Sequence, residues 1–154
     1  MADRVMPFVR LIFPVREALL DLADEKWLLR DPLVMAQPPR GKPFPFRMPQ
    51  LAVFVQLTGG LGRWEIGMEV RQRRDEGSYR FVGISPMEPI EFEPGPRLMV
   101  KATAFLFKKL PFKEEGLYEF RVVAQTSDDS APPTYEALNG PVAELRVLDH
   151  RGTV

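Results

Sequence analysis

The chain has 154 residues, enough for one domain that buries about two-thirds of its unfolded surface. Apolar residues make up 45% and charged residues 27%, and the 21 basic side chains are balanced by 21 acidic ones, which argues against a nucleic-acid binder. There is no cysteine, which excludes disulfides and thiolate chemistry, and no stretch approaches the ~20 apolar residues of a membrane-spanning helix.

The N-terminal MADRVMPFVRLIFPVRE has an apolar run broken by Arg10 and lacks the small-residue cleavage site of a secretory leader, so a cytoplasmic chain is expected. Phe8 to Phe13 read as a first strand. Val15 to Asp31 is ambiguous. Its residues have helix propensity, with Val15, Leu19, Leu22 and Trp27 loosely at helical spacing; a hairpin turning at Ala23-Asp24-Glu25-Lys26 is the rival. Gln37 to Pro49 is a proline-rich connection, whose Phe44 and Phe46 are expected to tuck onto the core. Sixteen prolines punctuate the chain between apolar runs, because proline cannot donate to a sheet ladder.

Gln50 to Thr58 is expected to be a strand buried on both faces. Gly59-Gly60-Leu61-Gly62 is the strongest turn signal and is read as joining that strand to the next in an antiparallel hairpin. From Trp64 to Val70 apolar and polar residues alternate, with Trp64, Ile66, Met68 and Val70 on one side. Arg71, Arg73 and Arg74 run straight into Asp75 and Glu76, as the solvated end of a strand does. Tyr79 to Ile84, a short piece around Ile90 and Phe92, and Arg97 to Leu110 follow as extended segments. Leu117 to Ala124 alternates again, with Tyr118, Phe120, Val122 and Ala124 facing inward and Leu117, Glu119 and Arg121 facing water. Thr126 to Pro133 reads as a loop and Val142 to Leu148 as the last strand. Strands at this spacing predict an all-β fold with little helix: a single antiparallel β-sandwich of about seven to nine strands. Its parts are an N-terminal hairpin over about 8–35, the connection 37–49, a sandwich body 50–148 and a short tail 149–154.

Three passages carry a resemblance: FPFRMPQLAVFVQLTGGLGRWEIGMEVRQ (Phe44 to Gln72), FLFKKLPF (Phe105 to Phe112), and EEGLYEFRVVAQ followed by a closing strand. Together they resemble a family of small bacterial proteins without assigned activity, each a single immunoglobulin-like β-sandwich. The resemblance implies that residues 15–34 form the hairpin. It also implies that Gly116 and Tyr118 make a turn with a tyrosine packed over the sandwich end, and that Phe120 is core. It implies no catalytic residue.

The inventory for chemistry is thin. His150 is the only histidine, and Ser78, Ser85, Ser127 and Ser130 lack a nucleophile elbow around them. One histidine without cysteine does not close a zinc site, so no metal and no cofactor are expected. Glu88, Glu91 and Glu93 could pair two carboxylates for hydrolysis, and Asp128-Asp129 could offer oxygens to calcium. Charged residues flanking a loop are the commoner reading of the glutamates, and the aspartates lack the spacing of a calcium loop. Trp27, Trp64 and Tyr79 raise the question of a sugar-stacking platform. Trp64 belongs to an apolar face, which leaves Trp27 and Tyr79 as binding candidates. The leading expectation is a non-enzymatic protein for protein–protein interaction or assembly, with an unidentified protein partner or a homo-oligomer formed through strand edges or sheet faces. A small-ligand or carbohydrate-binding module is the alternative, and a carboxylate-dependent hydrolase ranks third.

Overall fold

The two alternating segments set the core. Trp64, Ile66, Met68 and Val70 are all buried, and Tyr118, Phe120, Val122 and Ala124 are almost wholly so. A computed structural model describes residues 4–95, 100–126 and 132–149. The strands are β1 (Phe8–Asp21), β2 (Lys26–Pro32), β3 (Met35–Ala36), β4 (Phe46–Thr58), β5 (Gly62–Arg73) and β6 (Tyr79–Ile84), then β7 (Glu88–Phe92), β8 (Val100–Phe112), β9 (Gly116–Gln125), β10 (Tyr135–Ala137) and β11 (Ala143–Val147). The only helical element among the described residues is a single 3-10 turn at Asp75–Gly77. There are more strands than expected because β3 and β10, of two and three residues, are too short to show a period in sequence.

These strands form two sheets, neither closed into a barrel. One is ordered β2-β1-β4-β8. The other is ordered β3-β11-β9-β5-β6, with β10 continuing the β11 edge of β9 and β7 continuing the β6 edge of β5. All pairings are antiparallel except β3 with β11, which is parallel. Apolar side chains from both sheets meet between them, including Leu51, Val53, Val55 and Leu57 of β4 and Phe105, Phe107 and Phe112 of β8.

The N-terminal segment is a hairpin and not a helix. Leu19 pairs with Leu28 and Leu20 with Trp27, and the Asp21 carboxylate accepts the turn N–H groups of Ala23 (3.0 Å) and Asp24 (3.4 Å). Helix propensity loses here because Pro14 and Pro32 bracket the segment and the extended pairing satisfies its backbone.

The glycine turn corrects a second expectation. Strand β4 pairs with β1 and β8, and β5 pairs with β9, β6 and β7; the two do not form a hairpin. Gly59 to Leu61 instead carries the chain from one sheet to the other. Gly59 has φ +75°, and a side chain at Gly60 would strike Phe92 and Pro7 at 2.9 Å, so the crossing is as tight as glycine permits. Strand β4 also starts earlier than expected, at Phe46. Met48 and Leu51 both face the core with the exposed Pro49 and Gln50 between them, and Lys109 across the ladder has φ +58°. The β4–β8 register is unshifted here, so the two strands kink together at Pro49 and Lys109 and exchange which alternate residues face the core.

Candidate functional site

Neither sheet turns a plainly wet face outward. On the four-stranded sheet, Val15, Ala52 and Phe54 are buried although they lie outside the inter-sheet core. Pairing of β1 with β4 ends at Val15 opposite Ala52, while Trp27 sits opposite Leu20. In a flat sheet Trp27 and Phe54 would be roughly 25 Å apart, seven residues along β1 at ~3.3 Å each and two strand spacings across. Their ring centroids are in fact 5.8 Å apart, edge to face, with Phe13 at 5.6 Å from Phe54. The β1–β2 arm therefore curls back over the outer face of its own sheet. Leu19, Leu20 and Leu28 remain about half exposed on it, and Leu22 at its tip is 82% exposed.

On the larger sheet, β5 and β9 face each other with Arg71 opposite Glu119 and Glu69 opposite Arg121. The Arg71 guanidinium donates to one Glu119 oxygen at 3.0 and 2.5 Å, and Arg121 Nε donates to Glu69 at 2.8 Å. Glu119, expected to face water, is only 4% exposed. Arg71 covers it from the neighbouring strand, and the Tyr79 ring lies in turn over Arg71, its centroid 3.6 Å from the guanidinium carbon. Tyr79 also hydrogen-bonds Arg73, which holds that guanidinium above its ordinary pKa.

The aromatic candidates thus lie apart. Trp27 packs on Phe54, Tyr79 covers Arg71 on the other sheet, and Trp64 is buried beneath Arg4, its Nε1 donating to the carbonyls of Val5 (3.0 Å) and Leu61 (3.1 Å). They share no platform. Ser85 is buried, and its hydroxyl accepts the Met68 N–H at 2.9 Å and donates to the Pro86 carbonyl at 3.2 Å, a bridging role where the chain passes from β6 to β7. Ser78 donates to the Asp75 carbonyl in an exposed turn. His150, Ser127, Asp128, Asp129 and Ser130 lie outside the described residues.

Of the three glutamates on and beside β7, Glu91 and Glu93 project to one side of the strand and Glu88 to the other. Burial against β8 pushes the Glu88 carboxyl above its ordinary pKa, and a hydrogen bond with Thr103 opposes the shift. Glu88 borders a small depression of about 400 Å³ with Ser85, Phe105 and Lys108. Among the described residues no three carboxylates or imidazoles gather as a metal cluster.

One further concavity was not signalled by any motif. It is an open cleft of about 950 Å³ where the proline-rich connection passes between β3, β1 and the start of β4. Arg16, Lys42 and Arg47 line it, together with Met35, Gln37, Phe44 and the prolines 39, 43, 45 and 49. None of its described lining residues is acidic. Phe44 meets the buried Phe46 edge to face with centroids 5.6 Å apart, which ties the connection to the core. A second depression of about 320 Å³ shares Pro45 and Arg47 and adds Pro111 and Lys113.

No family model matches the chain, and no curated protein matches it. Among solved structures, one similar chain comes from a study titled "Structural basis of T cell specificity and activation by the bacterial superantigen toxic shock syndrome toxin-1". The two share 15% identity over 75% of this chain and 93% of the other, with a TM-score of 0.30.

Proposed function

We propose that this protein is a non-enzymatic interaction or assembly module built on a sandwich of immunoglobulin type. Three features support the fold reading. The order β11-β9-β5-β6 in one sheet and β1-β4-β8 in the other matches the strand order of that fold, in which the chain changes sheet between its second and third main strands. Strand β3 runs parallel to the last strand. Tyr118, near the start of β9, is fully buried and donates to the Glu114 carbonyl at 2.7 Å, the corner hydrogen bond such domains use.

One observation carries the functional reading: the β1–β2 arm presents Leu19, Leu20, Leu22 and Leu28 to solvent beside the free edge of β2. Soluble proteins guard free edges with charge, proline or a covering element, and an apolar edge left open is a template for a partner strand. Only Lys26, Arg30, Asp31 and Pro32 guard this one. The carbohydrate reading has less support, since Trp27 and Tyr79 belong to different sheets. The hydrolase reading has less still, because Glu88 projects away from Glu91 and Glu93.

The test compares wild type with Leu22→Asp/Leu28→Asp. Light scattering behind size exclusion reads self-association, and capture from the native host followed by pairwise reconstitution reads a foreign partner. The variant should lose the association while keeping a wild-type circular dichroism spectrum. Association that survives both changes would remove the arm from the interface.

A further inference from the structure

We propose that the cleft beside β3 and β4 is a receptor for an extended acidic peptide, which adds as a strand to the uncovered first half of β4. The site is distinct from the leucine-bearing arm and does not rest on it.

Backbone comes first. The β4–β8 ladder runs from Thr58 opposite Val100 to Phe46 opposite Phe112, but the β1–β4 ladder stops at Ala52. Among the described residues, 46–51 of β4 therefore have a strand neighbour on one side only. Across the cleft, β3 is similarly half-used. The carbonyls of Val34 and Ala36 accept from the N–H groups of Arg146 on β11 (3.1 Å) and Leu148 just beyond it (3.0 Å). In a parallel ladder alternate residues bond to opposite sides, so the N–H and C=O of Met35 point away from β11, and Met35 lines the cleft. An open strand edge is what a peptide needs to join a sheet through its main chain.

Charge then selects the peptide. The chain is neutral overall, yet Arg16, Lys42 and Arg47 meet in one concavity with no carboxylate among its described lining residues. None of the three forms an ion pair with a described residue. Arg47 is positioned by donating to the Lys109 carbonyl at 3.4 Å, and Lys113 extends the positive strip into the adjoining depression. A strip of this kind suits carboxylates spaced along an extended chain. It suits phosphate less well, because phosphate sites gather successive backbone N–H groups, and the prolines 39, 43, 45 and 49 offer none. The exposed part of Phe44 and the proline rings supply apolar walls for the intervening side chains.

Fluorescence anisotropy with a labelled eight-residue peptide of alternating Glu and Val tests this in low-salt buffer. Wild type should bind it, and should bind the Lys–Val counterpart at least about tenfold more weakly. Arg16→Glu/Lys42→Glu/Arg47→Glu should lose at least about tenfold in affinity, while Arg63→Glu, at a cation far from the cleft, changes nothing. Methylating alternate backbone nitrogens of the peptide should weaken binding to unaltered wild type by a similar factor, so the strand-addition step is tested even if the triple variant misfolds. Leu22→Asp/Leu28→Asp should bind the peptide normally, which separates failure here from failure of the arm. The proposal is overturned if the reversals or the N-methyl groups leave affinity unchanged, or if single-stranded DNA or inorganic phosphate binds in preference to the peptide.

Discussion

Glu119→Ala measures how dry the outer face of the larger sheet is. In sequence Glu119 occupies a solvent-facing position, where truncation costs within about 0.5 kcal/mol. In the structure its side chain keeps 5% of its exposure, and its partner Arg71 keeps 20%. Removing one member of a fully buried pair costs roughly 3–5 kcal/mol, because the other charge is stranded. Arg71 retains some contact with water and can swing outward from beneath Tyr79, which lowers the expectation to about 2–3 kcal/mol. For a domain of this size each kcal/mol moves Tm by about 2–4 °C, so Tm should fall by about 4–12 °C. Glu65→Ala is the control. Its pair with Arg63 spans 3.6 Å between side chains 39% and 66% exposed, and its loss should stay within about 0.5 kcal/mol. Urea titrations followed by tryptophan fluorescence give both values. Arg71→Met/Glu119→Leu should recover much of the loss, since apolar replacement of a buried pair is often neutral. Equal and small effects at Glu119 and Glu65 would refute the buried-pair account and return Glu119 to solvent.

Phe120→Ala removes a fully buried ring that meets Phe107 edge to face at 6.0 Å, and should cost roughly 3–5 kcal/mol in the same titration. Gly140→Ala should cost about 2 kcal/mol or more, because the residue has φ +119° and a Cβ would lie 2.2 Å from the Val9 carbonyl oxygen; a wild-type Tm would show that the 138–141 segment does not press on β1. Glu88→Gln tests a pH dependence. The folded carboxyl holds its proton to higher pH than the unfolded one, so the contribution of Glu88 to stability is fully present below the ordinary carboxylate pKa near 4.3 and is lost as pH rises through the raised folded value. The Gln variant should therefore be more stable than wild type at neutral pH, and the gap should close in scans taken below about pH 4; a gap that widens on acidification would reverse the assigned cause.

Legibility followed the kind of information each feature requires. Strands β5 and β9 were readable because one face of each packs on a dry core, so apolar residues recur at every second position from Trp64 to Val70 and from Tyr118 to Ala124, with Val123 the one apolar residue between them on β9. The same alternation misplaced Glu119, since period two separates polar from apolar and says nothing of Arg71, which comes from another strand and closes over it. The Gly59 turn was legible as a turn but not as a crossing between sheets, because glycine permits both. What decides between them is that Ala52, Val53, Phe54 and Val55 form an unbroken apolar run, which needs strands on both sides and cover on both faces. Trp27 supplies part of that cover from the curled arm, a tertiary event with no local signature.

The cleft was illegible for a related reason. Arg16, Lys42 and Arg47 form no motif; they converge because β1 leaves β4 at Ala52 and the kink at Pro49 resets which side chains face inward. Net neutrality concealed them further. With 21 charges of each sign, the far field of the molecule is small and the cleft acts only within a Debye length, about 8–10 Å at physiological salt. Such a site does little long-range steering, so it would sort ligands at contact, by whether carboxylates and a bare strand edge meet its cations and its unpaired backbone together. Recognition that needs both at once is more selective than charge alone, which accounts for how a neutral protein without a catalytic constellation among its described residues can still carry a specific surface.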